Sequence, residues 1–201
     1  MPGVTSVLAL LAGLAAGFFH VLAGPDHLAA VAPMVAGDDR VAWRAGLSWG
    51  LGHTAGVLLV GALLVAFREL LPIAALSAWS ERLVGVALVA VGLWGLWRAR
   101  APHMHQHVPS APSFAMGTLH DLAGSSHLYG VLPSLMFSSR LDAFCYLAGF
   151  GAGAIGAMTA FSAALGAVAL AAGRSSQSVR QVVLYAASAA AVVVGGVWLL
   201  G

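Results

Sequence analysis

Apolar residues dominate the chain in long unbroken runs, and polar residues fall between the runs rather than alternating within them. Six segments are long enough, or nearly so, for the about 20 apolar residues that a spanning helix needs. They cover residues 4–36, 41–67, 83–97, 113–137, 141–172 and 179–200. The third is short, and residues 73–79 before it either extend the helix or lie at the membrane surface. The first is too long for one straight crossing and is predicted to be interrupted at Gly24-Pro25 and again at Pro33. The runs are rich in Ala, Leu and Gly and lack a period of two, so strands are not expected. The pattern predicts an all-α membrane protein with six transmembrane helices.

Composition sharpens this reading. The chain has 201 residues, 60% of them hydrophobic and 8% charged, against about 25% charged in an ordinary soluble domain. The charges sit between the runs, with nine basic residues, all arginine, against seven acidic ones. Arg40, Arg44, Arg98, Arg100, Arg174 and Arg180 fall on one side of a six-span layout, and Arg68, Arg82 and Arg140 on the other. The arginine-rich side is expected to be cytoplasmic, with both termini outside. Trp43, Trp79, Trp97 and Trp198 lie near span ends, where an interfacial aromatic belt would place them. A net charge of +2, scattered along the chain, gives no footprint for nucleic acid. A single cysteine, Cys145, excludes an internal disulfide and a CxxC redox pair. The N-terminus lacks the basic region of a removable signal peptide and reads as part of the first span.

Within this apolar background one stretch repeats. HVLAGPDHLAAVAP (20–33) aligns without a gap on HDLAGSSHLYGVLP (120–133), with eight of fourteen positions identical. The offset of 100 residues divides the chain into halves, 1–100 and 101–201, of three spans each, the second opening on a linker at 101–112. Two copies of an odd-numbered unit enter the membrane from opposite sides, which is the inverted-topology repeat of many secondary transporters, whose sites form at broken helices near the midplane. An inverted 3+3 repeat with broken motif helices is therefore expected.

The repeated stretch carries the chemistry. His20 and His27 are seven residues apart, as are His120 and His127, and that spacing keeps both rings of a pair on one helix face. Pro25 has no N–H and disrupts the helix ladder, and backbone freed inside a bilayer is tolerated only where it faces protein or a wet cavity. Asp26 and Asp121 each cost about 2.5–3.5 kcal/mol at a helix centre, which argues for a function. They stand opposite Ser126 and Val21 in the alignment, so the halves share their histidines but not their carboxylates. His53 lies mid-way along the second span, in SWGLGHTAGV, and GFGAGAIGAM, the matching stretch of the second half, has no histidine. Imidazole with carboxylate suits Ni, Co, Zn, Cu or Fe and does not choose among them. The HMHQH stretch (His103, His105, His107) reads as an exposed linker able to collect metal weakly.

At these residues the chain resembles the nickel/cobalt transporter family, in its short urease-accessory (UreH-like) branch. The likeness rests on HVLAGPDHLAAVAP, on GLGHTAG (50–56) and on GTLHDLAGSSHLYGVLP (117–133). It implies a multi-span permease of the bacterial inner membrane for Ni(II) or Co(II), with no prosthetic group. Its partners would be the metal ion, the bilayer and cytoplasmic metallochaperone or urease/hydrogenase maturation proteins. The family's His-x4-Asp-His motif corresponds to His20, Asp26 and His27, here with five residues between the first two. Asp121 stands where the branch has glycine.

The expected metal site is His20, Asp26, His27 and His53, completed or gated by His120 and His127, with Asp121, His103, His105 and His107 as further candidates. Protonation of the histidines would compete with metal and could couple transport to a proton gradient. Two alternatives are an intramembrane His-ligated metalloenzyme, which nothing like HExxH supports, and an inverted-repeat exporter of another small solute. The chain is expected to be a transporter and not an enzyme.

Overall fold

A computed structural model describes residues 2–35, 42–67, 73–100, 110–122, 130–175 and 177–200. All the described secondary structure is helical: α1 (Pro2–Ala23), α2 (Pro25–Val35), α3 (Ala42–Phe67), α4 (Ile73–Arg100), α5 (Ser110–Leu122), a 3₁₀ turn (Leu132–Met136), α6 (Arg140–Ser175) and α7 (Gln177–Leu200). Among the described residues four segments are long and apolar enough to cross a membrane: Gly3–Ala23, Arg82–Arg100, Arg140–Ala171 and Gln181–Leu200. Their outward faces present Val7, Leu11, Phe19, Val86, Phe144, Val193 and Val197, all exposed. A row of exposed large apolar side chains on every one of these helices fits a lipid solvent.

Among the described residues the helices follow the predicted runs with two differences. Residues 73–79 extend the third segment, so α4 is one helix of 28 residues. The expected interruption at Pro33 is absent, because α2 continues through Pro33 to Val35. Pro33 lies in the last turn of α2, where the missing N–H removes a single bond and the helix is about to end. In the fourth segment α5 is described over Ser110–Leu122, and the backbone is helical at residues 130 and 131; the part of the expected motif helix between them lies outside the described residues.

The break at Gly24 is as the Gly-Pro pair predicts. Gly24 N donates to His20 O at 3.1 Å, finishing α1, and Gly24 O accepts from His27 N at 3.2 Å, opening α2. Pro25 takes the first helical position, where its missing N–H costs nothing. At 11 residues α2 is about 16 Å long, too short to span a bilayer. From Asp26 to Val35 it is buried except for Leu28, which is half-buried. Val21, Val31, Val35, Trp49, Leu88 and Met158 form the core around it.

Glycines set the helix crossings. A Cβ on Gly13 would strike the carbonyl of Tyr146, and one on Gly17 that of Phe150. Residue numbers rise together along both helices, so α1 and α6 are parallel. Ser6 Oγ donates to Asp142 Oδ1 at 2.5 Å where these two helices begin. Gly46 meets Ser162 and Gly50 meets Ile155, so α3 and α6 are antiparallel. Gly85 meets Gly195 and Gly92 meets Ser188, so α4 and α7 are antiparallel too.

The crossing of α3 with α5 repeats that of α1 with α6. Gly17 lies on the Phe150 carbonyl and Gly153 on that of Leu14, while Gly117 lies on the Trp49 carbonyl and Gly52 on that of Phe114. Each residue of the first set maps onto the second at an offset of 100 or 101. Where α3 and α6 meet, Gly50 lies on Ile155 and Gly151 on Thr54, a pair that the offset of 101 exchanges.

Arg98, 8% exposed, reaches from α4 to the C-terminal end of α2, where its guanidinium donates to Met34 O at 3.5 Å. A cation there also meets the negative end of the helix dipole. Hydrogen bonds to charged groups contribute about 1.5–3 kcal/mol. Arg98→Met is therefore expected to lower the thermal midpoint of the purified protein in detergent, whereas Arg100→Met, on an exposed residue, is expected to leave it within a degree or so.

Candidate metal centre

Four helices bring five candidate residues to one buried point. His20 comes from the last turn of α1, Asp26 and His27 from the first turn of α2, His53 from the middle of α3 and His120 from the last turn of α5. Asp26 and His120 are 3% exposed, His27 1% and His53 0%, and His20 is half-buried. The break at Gly24 places the first turn of α2 so that Asp26 and His27 face the end of α1. A Cβ at residue 24 would strike His27 Nδ1 and Asp26 Oδ1, so a larger residue there would displace one or both side chains.

Asp26 lies between two rings. Its Oδ1 is 3.1 Å from His27 Nδ1 and its Oδ2 is 3.1 Å from His120 Nε2. The other imidazoles crowd His27: its ring centroid is 4.7 Å from that of His20, 5.1 Å from His53 and 4.8 Å from His120, each nearly edge-on. His20 and His53 are stacked at 5.9 Å with 19° between planes. His20, His27 and His53 each offer a ligand atom within 4.8 Å of the others, and so do Asp26, His27 and His120. A first-row dication such as zinc binds imidazole at about 2.0–2.1 Å, so three tetrahedral or trigonal ligands stand about 3.3–3.6 Å from one another. Each donor of either triad, within 4.8 Å of the others, would reach an ion by moving inward by less than about 1 Å. Among the described residues Asp26 is the one carboxylate in these two groups.

Two aromatic side chains absent from the expected site line it. Trp49, 0% exposed, stacks on His53 at 5.2 Å with 15° between planes and lies 5.3 Å from His120. Phe150, 1% exposed, lies 5.4 Å from His20. These are equivalent positions: His20 maps onto His120, and Trp49 onto Phe150, at offsets of 100 and 101. The signal was present in sequence, because Trp49 precedes His53 by four residues, a spacing that faces both rings the same way on a helix. Where the first half has His53 the second has Ala154, 0% exposed.

The backbone of Asp121 belongs to α5, but its side chain lies outside the described residues, as do His127, His103, His105 and His107.

The fold and the centre together define a class: an all-helical membrane protein with a buried cluster of histidines and one aspartate built on a broken helix. Comparison with known proteins narrows it. The chain is 28% identical over 188 residues to the urease accessory protein UreH of Bacillus sp. (strain TB-90), covering 83% of this chain and 79% of that protein. It is also 33% and 32% identical to the chloroplast proteins FOR GROWTH AND FERTILITY 1 and 2 of Arabidopsis thaliana, over 77% of this chain in both cases. It spans about half the length of these two plant relatives, 48% and 46%. The chain is related to all three. No protein-family model matches it, and no solved structure does.

Proposed function

We propose that the protein is a membrane transporter for a divalent transition-metal ion, nickel first and cobalt second, which it carries through the His/Asp centre. One observation carries this reading: four imidazoles and a carboxylate converge from four helices on a buried point of an apolar helical protein. Ionisable groups at membrane depth are costly and mark ion or substrate pathways. Among the described residues the donor set is nitrogen with one carboxylate, which suits these metals. Relatedness to a protein named for urease accessory work favours nickel, in keeping with the resemblance to the nickel/cobalt transporter family. In this reading Asp26 offsets part of the charge of the desolvated ion, and His20, His27, His53 and His120 replace its water.

The reading extends to the architecture. Six spans in two inverted halves, 1–100 and 101–201, would place the centre at the interface of the repeats. The matching glycine crossings of α1 with α6 and of α3 with α5 support it. Membership of the nickel/cobalt transporter family, a plasma-membrane or organellar location and delivery to maturation proteins belong to the same proposal.

Flux of radioactive nickel into proteoliposomes tests it. Wild-type protein is expected to give saturable nickel entry above that of empty vesicles, and entry no faster than the empty-vesicle leak overturns the proposal. A second measurement uses Trp49. Paramagnetic Ni(II) or Co(II) seated beside an indole quenches its emission, so titration with either ion is expected to dim the protein's fluorescence saturably. Trp49→Phe is expected to remove most of that metal-dependent change, and an undiminished change would place the ion elsewhere.

A further inference from the structure

The five donors do not form one equidistant set. Among the described residues they fall into two groups of three, His20 with His27 and His53, and Asp26 with His27 and His120. His27 alone belongs to both. On one side of it the stacked rings of His20 and His53 approach nearly edge-on, with 81° and 80° between planes. On the other, its Nδ1 is 3.1 Å from Asp26 Oδ1, and Asp26 Oδ2 continues to His120 Nε2 at 3.1 Å. The rings of His53 and His120, which close the two groups, stand farther apart than the other imidazole pairs in contact, at 6.4 Å.

We infer that the centre is two overlapping stations for a single metal ion, one of three imidazoles (His20, His27, His53) and one of two imidazoles and a carboxylate (Asp26, His27, His120), between which the ion passes, with His27 a member of both. The inference rests on the transport reading above and deepens it. A neutral imidazole has one lone-pair nitrogen, so His27 ligates one ion at a time and the stations exclude each other. The two differ in chemistry. The first is neutral and holds a dication by nitrogen donation alone, whereas the second adds an anion and binds it more tightly. Passage between them is ligand exchange: two bonds, to His20 and His53, are replaced by two, to Asp26 and His120, without the ion being released to water. The halves contribute unequally. Three of the five donors, on α1 and α2, come from the repeated stretch of the first half, His53 comes from α3 of that half, and only His120 comes from the second half.

Titration of the purified full-length protein with Co(II), followed by its visible absorption bands, separates this arrangement from a single five-ligand site. Wild-type protein is expected to bind one equivalent. His53→Gln and His120→Gln each cripple one station and leave the other, so each is expected still to bind one equivalent. Their band positions should differ, His53→Gln reporting the nitrogen-oxygen set and His120→Gln the all-nitrogen set. The double variant and His27→Gln are expected to lose binding by 100-fold or more. Retained binding by the single variants also shows that they fold. If either single variant loses Co(II) as completely as His27→Gln while remaining monodisperse and helical, one joint site is present and the inference is overturned. Two equivalents bound at once to the wild type would overturn it as well. Wild-type protein that binds no Co(II) would instead remove the transport reading itself.

Discussion

Cells carrying His27→Ala in place of the wild-type protein are expected to take up nickel at the background rate, with the protein still present in the membrane at its normal level. His27 is 1% exposed and is the one residue common to both three-donor groups. Its removal leaves each group with two donors and takes the Nδ1 partner from Asp26 Oδ1. Loss of an outer partner of a metal ligand costs about 10–100-fold in affinity, and loss of a shared ligand should reach or exceed the upper figure. His53→Ala is expected to fall less, because the Asp26–His27–His120 group remains intact. Radiometal uptake alongside an immunoblot of the membrane fraction measures both. Uptake by His27→Ala above one tenth of wild type, at equal protein level, would remove His27 from the path.

The second large effect concerns assembly. Gly17→Leu and Gly117→Leu are each expected to abolish recovery of monodisperse protein from detergent. At both positions the added Cβ would strike a backbone carbonyl, that of Phe150 or of Trp49. A carbonyl held in a helix ladder cannot rotate aside, so the helices must separate and lose the contacts on either side of the crossing. Overpacking a well-fitted interior costs about 1–3 kcal/mol or more, against a total stability of about 5–15 kcal/mol for a typical domain. The two crossings carry Phe150 and Trp49 against the histidine cluster, so the centre would open with them. Gly156→Ala and Gly196→Ala serve as controls. A Cβ at either finds nothing within 4 Å, and exchanging a mid-helix glycine for alanine stabilises by about 0.5–1 kcal/mol. Equal recovery of the leucine variants and the controls, by size-exclusion chromatography, would contradict the packing argument.

Much of this architecture is legible in the residues themselves. The apolar runs locate α1, α3, α6 and α7 to within a few residues, because a bilayer-length stretch of Ala, Leu, Val and Gly has no alternative to a helix. Gly24-Pro25 marks the helix break because proline fits the first turn of a new helix and glycine leaves space beside His27. Pro33 misleads, since the same residue near a helix end removes too little to break it. The histidines His20, His27, His53 and His120 are recognisable because imidazole is costly in this setting and recurs at a fixed offset. What the sequence withholds is distance. Nothing in the spacing says that Asp26 turns toward His120, 94 residues away, since that contact depends on how α2 seats between α3, α4, α6 and α7. Trp49 and Phe150 are missed for a related reason. An aromatic in an apolar helix reads as lipid-facing bulk until the helix packing turns it inward.

One dimension of the fold bears on the surroundings of the protein rather than on its centre. At 36 residues α6 is about 54 Å long, while the hydrocarbon layer of a bilayer is about 30 Å. Even inclined at about 40°, the steep end of observed tilts, it would extend about 41 Å along the membrane normal. The surplus of about 11 Å, some two helical turns, must either stand in the headgroup region or thicken the lipid around it. The apolar part, Arg140–Ala171, accounts for 32 of these residues, so even that part exceeds the layer. Reconstitution into bilayers of increasing acyl length should therefore favour the thicker ones, and membranes rich in short-chain lipid should be poor hosts for this protein.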